Sequence, residues 1–364
     1  DALGRATPWV ALDERSYPLV VDDRPLADGL AGALAPGQVA LVTDANLAPW
    51  VGAAVDAIRT ATGGPASAPV HVTTIAPGEA SKSLATYGAV AEELVAAGLD
   101  RTSTIVALGG GVVGDLAGFV AATLYRGLDV VHLPTTLVAM TDSAIGGKTA
   151  VDLPAGKNLV GAFWQPRRVV AHLPTLATLP PRERRAGFGE LWKYALLDGE
   201  ALWRDVEAHA AWAATAAPPP PTLAAVVERC ATLKAAIVSR DEREQRGERA
   251  LLNLGHTLGH ALETEAGGAL LHGEAVGLGL VAAARVSHRL GLAPADLEPR
   301  IAQALRATRL PADLDARVTP AVLARVGVDK KRRGTHLGFI ACAAPGACRV
   351  VELLPRALAD FLRP

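Results

Sequence analysis

The 364-residue sequence lacks the features that mark several classes of protein. Its three cysteines, Cys230, Cys342 and Cys348, are scattered and form no disulfide framework, so we expect a reducing compartment and a cytoplasmic protein. Lys+Arg 36 and Asp+Glu 37 leave a net charge of −1, and no global basic field favours nucleic acid as a partner. No apolar run approaches the roughly 18 residues of a membrane span, so we expect no membrane partner.

The composition is that of a folded globular chain. Half of the residues are hydrophobic and 20% are charged, which excludes disorder as the main state because disorder needs few apolar residues and a large net charge. Aromatic residues make up only 4% of the chain, which we attribute to genome composition rather than to mechanism. The length favours about two domains.

The two halves of the sequence differ in pattern. In the first half, short β-branched runs alternate with helical stretches, which predicts a parallel sheet covered by helices on both faces. The second half is mainly helical and ends in a predicted hairpin, so the fold class is α/β plus α, with a boundary near 176–182. The predicted strands are 17–21, 39–43, 70–75, 104–108, 130–133 and 169–172. The predicted helices include 84–97, 115–123, 187–197, 223–240, 250–265, 273–290 and 297–305.

A glycine-rich turn with the sequence LGGGVVGD, at 108–115, follows a predicted strand and opens a helix. Glycines let backbone N–H groups approach an anion, and a helix N-terminus favours negative charge. The turn is typical of a diphosphate loop, although Asp129 precedes the next strand instead of ending it as in the ordinary Rossmann pattern. A tight turn without a ligand is the alternative. Asp44, which follows strand 39–43, either binds a ribose or caps a turn.

A second glycine-rich segment, 141–158, carries charged and amide side chains between apolar runs. It contains Asp142, Lys148, Lys157 and Asn158. Lysines gathered around glycines suit phosphate or carboxylate binding, so we predict an anion-binding loop here.

Histidines in the second half form a candidate metal site. His256 and His260 lie four residues apart in the predicted helix 250–265, so both face one side, and His272 and Glu190 offer further donors. Histidines with a carboxylate suit zinc or another divalent ion with open positions, whereas satisfied core histidines are the alternative. Spacing alone selects His256 and His260 as the ligands.

Six motifs spread over much of the chain are specific as a set, although none is specific alone. They read GGGVVGDLAGFVAATLYRG, LPTTLVAMTDSAIGGKTAVDLPAGKNLVGAFWQP, TLPPRERRAGFGELWKYALL, SRDEREQRGERALLNLGHTLGHALE, LHGEAVGLGL and VDKKRRG. With these motifs the sequence resembles the 3-dehydroquinate synthases, a family within the sugar-phosphate cyclases.

The resemblance implies an N-terminal Rossmann-like domain, 1–178, that binds NAD, and a mainly α-helical domain, 179–364, that binds metal and substrate. It implies Zn²⁺ or Co²⁺ on Glu190, His256 and His272, and it moves His260 to the substrate side. The implied NAD contacts are Asp44, Asn46, Glu79, Lys82, Gly110, Gly111, Val112, Asp115, Thr135, Thr136, Lys148, Lys157 and Thr178. The implied substrate contacts are Arg126, Asp142, Lys148, Lys157, Asn158, Lys193, Lys234, Arg249, Asn253, His260 and one of Lys330 and Lys331. The expected catalytic residues are Lys148, Lys193, Asn253, His260 and Glu244.

The resemblance also implies the reaction, a phosphate-eliminating cyclisation of 3-deoxy-D-arabino-heptulosonate 7-phosphate to 3-dehydroquinate in the shikimate pathway of aromatic amino acid biosynthesis. The C5 hydroxyl is oxidised transiently by NAD, phosphate is eliminated, the ketone is reduced, and the opened ring closes by an intramolecular aldol step. We therefore expect a lyase with a small anionic sugar phosphate as its partner, assembled as a homodimer.

Three other interpretations compete with this one. An amino-dehydroquinate synthase, or a deoxy-scyllo-inosose or epi-valiolone synthase of secondary metabolism, would use the same scaffold. A metal-dependent alcohol dehydrogenase has a similar glycine loop but no use for so many anion-binding residues. A non-catalytic relic would have lost some of Glu190, His256, His272 and Lys148, all of which are present.

Overall fold

The structure is a computed structural model that describes residues 7–64, 69–326, 332–333 and 336–363, without the side chains of 332, 333 and 336. Lys330 and Lys331, expected to include one substrate contact, lie outside the described residues. The chain forms two compact units. The first comprises Asp1–Leu179 and Pro218–Ser239, and the second comprises Pro180–Ala217 and Arg240–Pro364. The second predicted domain, 179–364, is therefore divided in space, since one internal segment belongs to the first unit.

A seven-stranded sheet forms the centre of the first unit. Its strand order is β1-β2-β9-β6-β5-β3-β4, and every pairing is parallel except that of β1 with β2. The predicted parallel sheet is confirmed, and each predicted strand lies within one residue of the observed bounds. The strands of the sheet are β1 (Trp9–Val10), β2 (Tyr17–Asp22), β3 (Val39–Asp44), β4 (His71–Ile75), β5 (Thr104–Gly109), β6 (Asp129–Pro134) and β9 (Arg168–His172). Two further strands, β7 (Lys148–Leu153) and β8 (Gly156–Phe163), lie outside this sheet.

Helices cover both faces of this sheet because its strands are apolar on both sides. In β3, Val39 and Leu41 pack toward one face, while Ala40 and Val42 pack toward the other, as the two-residue period of a strand requires. The first face is covered by α1 (Leu26–Leu30) and α2 (Ala48–Ala61), and the second by α3 (Leu84–Ala96) and α4 (Gly111–Thr123).

The helix α7 explains why the second predicted domain is interrupted. After α5 (Pro181–Asp198) and α6 (Glu200–Ala208), α7 (Leu223–Arg240) packs Ala231, Ala235 and Val238 into a buried cluster that contains Tyr17 of β2 and Val169 of β9. The sequence pattern predicted the helix correctly, but only the long-range packing assigns it to the first unit.

The second unit is mainly helical, as predicted, and it carries a small antiparallel sheet of order β10-β11-β12. The predicted helix 250–265 is interrupted at Gly255, which has φ = 78° and follows a 3₁₀ helix, Glu248–Asn253. The further elements of this unit are α8 (His256–Glu265), α9 (His272–Arg289), α10 (Leu297–Ala307), α11 (Pro320–Val326), β10 (Arg332–Arg333), β11 (His336–Cys342), β12 (Cys348–Leu353) and α12 (Pro355–Leu362).

The segment 141–158 is not the loop that its glycines and lysines predict. Residues Ala139–Ser143 form a π-helix, and β7 and β8 form an antiparallel hairpin. Lys148 therefore begins β7, while Lys157 and Asn158 lie on β8. Among the described residues, no helix combines the length and apolar character that crossing a membrane requires.

Candidate functional site

Most of the predicted NAD contacts of the first unit lie at or after the carboxyl ends of the parallel strands, whereas Lys148 and Lys157 lie on the β7–β8 hairpin. Ligands of such sheets bind beyond these ends. Asp44 ends β3, Gly110 follows β5 and Thr135 follows β6. Asn46 lies two residues after Asp44, and Thr136 directly follows Thr135. The remaining predicted contacts at this edge follow β4 (Glu79 and Lys82), follow β9 by six residues (Thr178) or lie in α4 (Gly111, Val112 and Asp115).

The turn between β5 and α4 leaves the helix N-terminus open. Gly110 is the N-cap of α4, and no side chain caps this described helix end. A Cβ at Gly110 would lie 3.1 Å from Thr136 Cγ2, and one at Gly111 would lie 3.2 Å from Ser143 Oγ, so two neighbouring side chains closely line the turn. A bare helix N-terminus with glycine on both sides of its first turn suits an anion.

Four charged side chains form a cluster beside this turn. Lys82 Nζ donates to Asp115 Oδ2 at 2.5 Å, and Glu79 Oε1 lies 3.5 Å from Lys157 Nζ and 4.0 Å from Lys82 Nζ. Burial raises the pKa of Asp115 to about 6 despite the opposing charge of Lys82. The cluster places cations and carboxylates together at strand ends, which suits a ligand with both phosphates and hydroxyls.

Asp44 and Thr178 are each held by a local contact. The Asp44 Oδ1 accepts the Asn46 N–H at 2.9 Å, and burial raises the pKa of the Asp44 carboxyl. The Thr178 hydroxyl donates to Thr175 O and accepts from Trp50 Nε1 at 2.9 Å. Sequence reasoning missed Trp50, whose role depends on a contact across 128 residues of sequence.

The predicted substrate contacts of the first unit are partly brought together. Lys234 Nζ lies 3.1 Å from Asp142 Oδ1 and also donates to Asp142 O at 2.5 Å. Arg126 is exposed in a turn where both it and Tyr125 adopt positive φ, of 68° and 54°. Asn158, with φ = 57°, donates its N–H to Asp152, and Lys148 is exposed at the start of β7.

In the second unit, three helices bring Glu190, His256 and His272 together. Each offers one ligand atom, and these atoms lie within 4.8 Å of one another. Glu190 Oε1 is 3.4 Å from His256 Nε2 and 3.2 Å from His272 Nε2. Among the described residues this group does not include His260, whose ring centroid is 5.3 Å from that of His256. The geometry favours the set implied by the resemblance over the pair selected by spacing alone.

Both histidines are oriented as metal ligands require. His256 Nδ1 donates to Leu254 O at 3.0 Å, and His272 Nδ1 donates to Glu263 Oε2 at 3.0 Å. Each ring therefore directs Nε2 toward the shared centre while a carbonyl or carboxylate fixes its other nitrogen, the arrangement common around protein-bound zinc. Two Nε2 atoms and a carboxylate fit a divalent ion with open positions.

The electrostatics of this group also fit a cation. Burial acts to raise the pKa of Glu190, but the charge of Lys193 holds it well below its usual value, so the carboxylate stays ionised. Burial lowers the pKa of His256, which keeps that ring neutral. For His272, burial is outweighed by hydrogen bonds to Glu190 and Glu263, which raise the pKa to about 10. Two carboxylates thus concentrate negative charge around one imidazole.

Glycines next to each ligand allow the helices to approach this closely. A Cβ at Gly273 would overlap Ala186 O of α5, and one at Gly189 would overlap Gly273 O of α9. Similarly, a Cβ at Gly255 would lie 3.0 Å from Val276 O of α9. Because each of these glycines is adjacent in sequence to a ligand, the backbone contacts set the spacing of the three donor atoms.

Lys193 and His260 lie beside the triad. Lys193 Nζ is 2.5 Å from Glu190 Oε2, and both side chains are fully buried. His260 is exposed on α8, with its ring centroid 6.1 Å from that of His272. The His260 side chain is therefore accessible from solvent.

The loop 241–249 positions the other predicted residues of this unit. Asp241 accepts the backbone N–H groups of Gln245, Arg246 and Arg249 through its two carboxylate oxygens. Arg249 is buried, and its Nε lies 3.8 Å from Glu244 Oε1, where Glu244 has φ = 57°. Asn253 ends the following 3₁₀ helix. Sequence reasoning did not assign Asp241, because an acid that accepts backbone N–H groups leaves no spacing signal.

The comparisons with known proteins identify the family. Family models described as 3-dehydroquinate synthase N-terminal and C-terminal match residues 72–186 and 187–332. A 3-dehydroquinate synthase of Caulobacter vibrioides is 45% identical over 359 residues, covering 96% of this chain and 95% of that relative. The chain belongs to the 3-dehydroquinate synthase family.

Two solved structures of sugar-phosphate cyclases are similar to this chain over almost its whole length. A 2-deoxy-scyllo-inosose synthase complexed with carbaglucose-6-phosphate, NAD⁺ and Co²⁺ is 27% identical with a TM-score of 0.86, covering 98% of this chain and 99% of the other. A 2-epi-5-epi-valiolone synthase from Streptomyces hygroscopicus subsp. jinggangensis 5008, with NAD⁺ and Zn²⁺ bound, is 27% identical with a TM-score of 0.83, covering 98% of each chain.

Proposed function

We propose that this protein is a 3-dehydroquinate synthase that converts 3-deoxy-D-arabino-heptulosonate 7-phosphate to 3-dehydroquinate and phosphate. The observation that carries the proposal is the convergence of Glu190, His256 and His272 in a chain 45% identical to a 3-dehydroquinate synthase. The substrate is a multiply charged anion, and the cations near the strand ends and near the triad suit such a ligand.

Glu190, His256 and His272 would hold Zn²⁺ or Co²⁺, while the segments at the strand ends would hold NAD. When bound, the ion would supply polarisation of the substrate's C5 oxygen and NAD would supply reversible hydride transfer, so neither would be consumed. The open N-terminus of α4 suits the NAD diphosphate, and the Asp44 carboxylate suits a ribose hydroxyl.

The protein's own residues bind the substrate anion and move its protons. The positive charge for the phosphate and the carboxylate comes from Lys148, Lys157, Lys193, Lys234, Arg126, Arg249 and one of Lys330 and Lys331. Asp142 and Asn158 are the further substrate contacts, and they suit the hydroxyl groups. Because the leaving phosphate can accept the proton that elimination releases, no strong protein base is required at that step. His260 exchanges alkoxide protons with the help of Asn253, with Glu244 as the acid beside Arg249.

The principal alternative is another cyclase of the same family group. The two solved cyclases are 27% identical to this chain, whereas the Caulobacter relative is 45% identical. Lys148, Lys234, Arg249 and His260 together favour a substrate with a carboxylate. An amino analogue of the substrate retains the carboxylate, so an assay with that analogue tests the remaining alternative.

We also propose a cytoplasmic homodimer that acts in aromatic amino acid biosynthesis. The three cysteines, Cys230, Cys342 and Cys348, are thiols rather than disulfides, which suits a reducing compartment. Within the described chain, β8 pairs only with β7, and it exposes Leu159 and Phe163 beside its open edge, which suits pairing with a second copy. Light scattering of the purified protein tests the dimer.

An assay of substrate turnover tests the activity. Purified protein with NAD and Zn²⁺ or Co²⁺ is expected to release phosphate from 3-deoxy-D-arabino-heptulosonate 7-phosphate and to form 3-dehydroquinate. The amino analogue is assayed beside it under the same conditions. No phosphate release with added metal would overturn the proposal, and faster turnover of the amino analogue would assign the chain to that alternative reaction.

A further inference from the structure

Two side chains, Arg182 and Glu274, hold the start of α9, where His272 is the first residue, and they form no hydrogen bond with the three proposed ligands. Arg182 forms a two-pronged contact with Glu274, with Nε donating to Oε1 at 2.9 Å and Nη2 donating to Oε2 at 2.8 Å. Arg182 Nη2 also donates to Ala269 O at 2.7 Å, just before α9 begins. The same guanidinium therefore holds both α9 and the segment that enters it.

Glu274 connects Arg182 to the backbone next to His272. It occupies the third position of α9, and its Oε2 accepts the N–H of Leu271, the N-cap residue, at 2.9 Å. A carboxylate at this position that bonds back to the N-cap fixes the first helical turn. Its side chain is almost fully buried, so the charge depends on Arg182 for compensation.

Arg182 lies in the first turn of α5, the helix that also carries Glu190. Four residues later, Ala186 O is in the tight backbone contact that Gly273 permits. The Arg182–Glu274 pair and this glycine contact therefore join the same two helices one turn apart. Together they fix the start of α9 relative to α5, and hence His272 relative to Glu190.

His272 needs such support more than the other two ligands do. Its side chain is 34% exposed, compared with 9% for His256 and 0% for Glu190. Packing therefore holds Glu190 and His256, whereas His272 depends on hydrogen bonds and on the placement of the helix turn beneath it. Metal coordination tolerates only about 0.2 Å of error in ligand distance.

We propose that Arg182 and Glu274 are positioning residues that set the affinity for the divalent ion by fixing His272 Nε2 relative to Glu190. This inference rests on the metal centre of the proposed function. Side chains that hydrogen-bond directly to metal ligands change metal affinity by about 10- to 100-fold in other metalloproteins, and this pair acts on the helix turn that carries such a ligand.

The test compares two matched Arg→Lys variants. Arg182→Lys keeps the charge but loses the two-pronged contact. Arg300→Lys is the control, because Arg300 makes an equivalent contact with Glu200 in the same unit, at 2.6 and 2.7 Å, from helices that carry no proposed ligand. The Kd for Co²⁺ and Zn²⁺ is measured by chelator competition, and the visible spectrum of bound Co²⁺ reports the ligand geometry. Thermal unfolding of the metal-free proteins is measured in parallel.

We expect Arg182→Lys to raise the metal Kd by about 10- to 100-fold and to change the Co²⁺ spectrum, and Arg300→Lys to do neither. Activity of Arg182→Lys at saturating metal should recover most of the wild-type kcat. An unchanged Kd in Arg182→Lys overturns the inference, and so does an equal rise in both variants, which would reflect stability alone. Wild-type protein that binds no metal would instead overturn the metal centre itself.

A second variant covers the case in which Arg182→Lys does not fold. Glu274→Gln retains an oxygen that can accept the Leu271 N–H. Its amide N–H group, however, faces the N–H groups of the Arg182 guanidinium, so one of the two hydrogen bonds between the side chains is lost. It is expected to raise the metal Kd by a similar factor, and the double variant should add little to either single change. Fully additive effects of the two substitutions would show that they act separately and would overturn the proposed pair.

Discussion

The two units build their sites by different physical means. In the first unit, most candidate NAD-binding residues lie in segments that follow parallel strands, and the sheet topology brings these segments to one edge. In the second unit, the candidate ligands lie on helices whose backbones touch through glycines. A strand-end site tolerates variation in its segments, whereas a helix-borne site depends on contacts with no room for an added atom.

The charges of the two sites differ in the same way. Glu79 and Lys157 of the first unit are both substantially exposed, so solvent screens their interaction. Glu190 and Lys193 of the second unit are fully buried, so each would be left uncompensated without the other. We therefore expect single substitutions to have larger effects in the second unit.

The largest expected effect is that of His272→Ala. Removing one of three ligands should abolish activity and weaken metal binding, because the remaining two donors do not hold a divalent ion firmly. Metal content by atomic absorption and turnover by phosphate release check this. His260→Ala is the matched change on α8, and it should lower kcat while metal content stays at the wild-type level. Retained metal in His272→Ala, with loss in His260→Ala, would reverse the ligand assignment.

Gly273→Ala should have the next largest effect. Its Cβ would overlap Ala186 O, so α5 and α9 must separate, at a stability cost on the order of 3 kcal/mol. Chemical denaturation measures the free energy of unfolding, and metal titration measures the effect on the site. Gly52→Ala, in α2 with no atom within 4 Å of the new Cβ, is the control and should be neutral or slightly stabilising. If Gly273→Ala and Gly52→Ala lowered the free energy of unfolding equally, the proposed difference in tolerance between the two units would be wrong.

A smaller effect on stability is expected from acidification of the first unit, because His132 is buried there as a neutral imidazole. Burial lowers the pKa of His132 to about 4, whereas an imidazole in the unfolded chain titrates near about 6.5. As the pH falls below 6.5, the unfolded chain therefore binds a proton that the folded chain does not. The folded state should lose about 2 kcal/mol between pH 7 and pH 5 from this group.

Urea denaturation of the wild type and of His132→Gln at both pH values checks this expectation. The variant should lose less stability on acidification than the wild type, since it lacks the titrating ring. Equal losses in the two proteins would show that other groups carry the acid sensitivity of the first unit.

The sequence predicted the first unit's architecture well because its information is local. Runs of β-branched residues define β3, β5 and β6 within one residue, and glycine marks the turn before α4. The β7–β8 hairpin was missed because its glycines and lysines are typical of loops. The break at Gly255 was also missed, since the apolar pattern continues through it and only the contact with α9 requires it.

The second unit's site depends on partners that are distant in sequence. Spacing within one helix selects His260, but packing of α9 against α5 brings His272 to Glu190 instead. Arg182 and Glu274 are 92 residues apart, and neither stands in a pattern that reveals the other. Glu263 lies seven residues after His256, so the sequence places both on one helix face, but it does not reveal the hydrogen bond between Glu263 and His272.

The π-helix at Ala139–Ser143 has a consequence for how this segment can vary. The Ala144 N–H donates to Ala139 O, five residues back, so the turn holds one residue more than an α-helical turn. Deleting that extra residue would turn every later side chain by about 100° around the axis and carry the Asp142 carboxylate away from the Lys234 ammonium. Natural variants should therefore conserve the length of this segment.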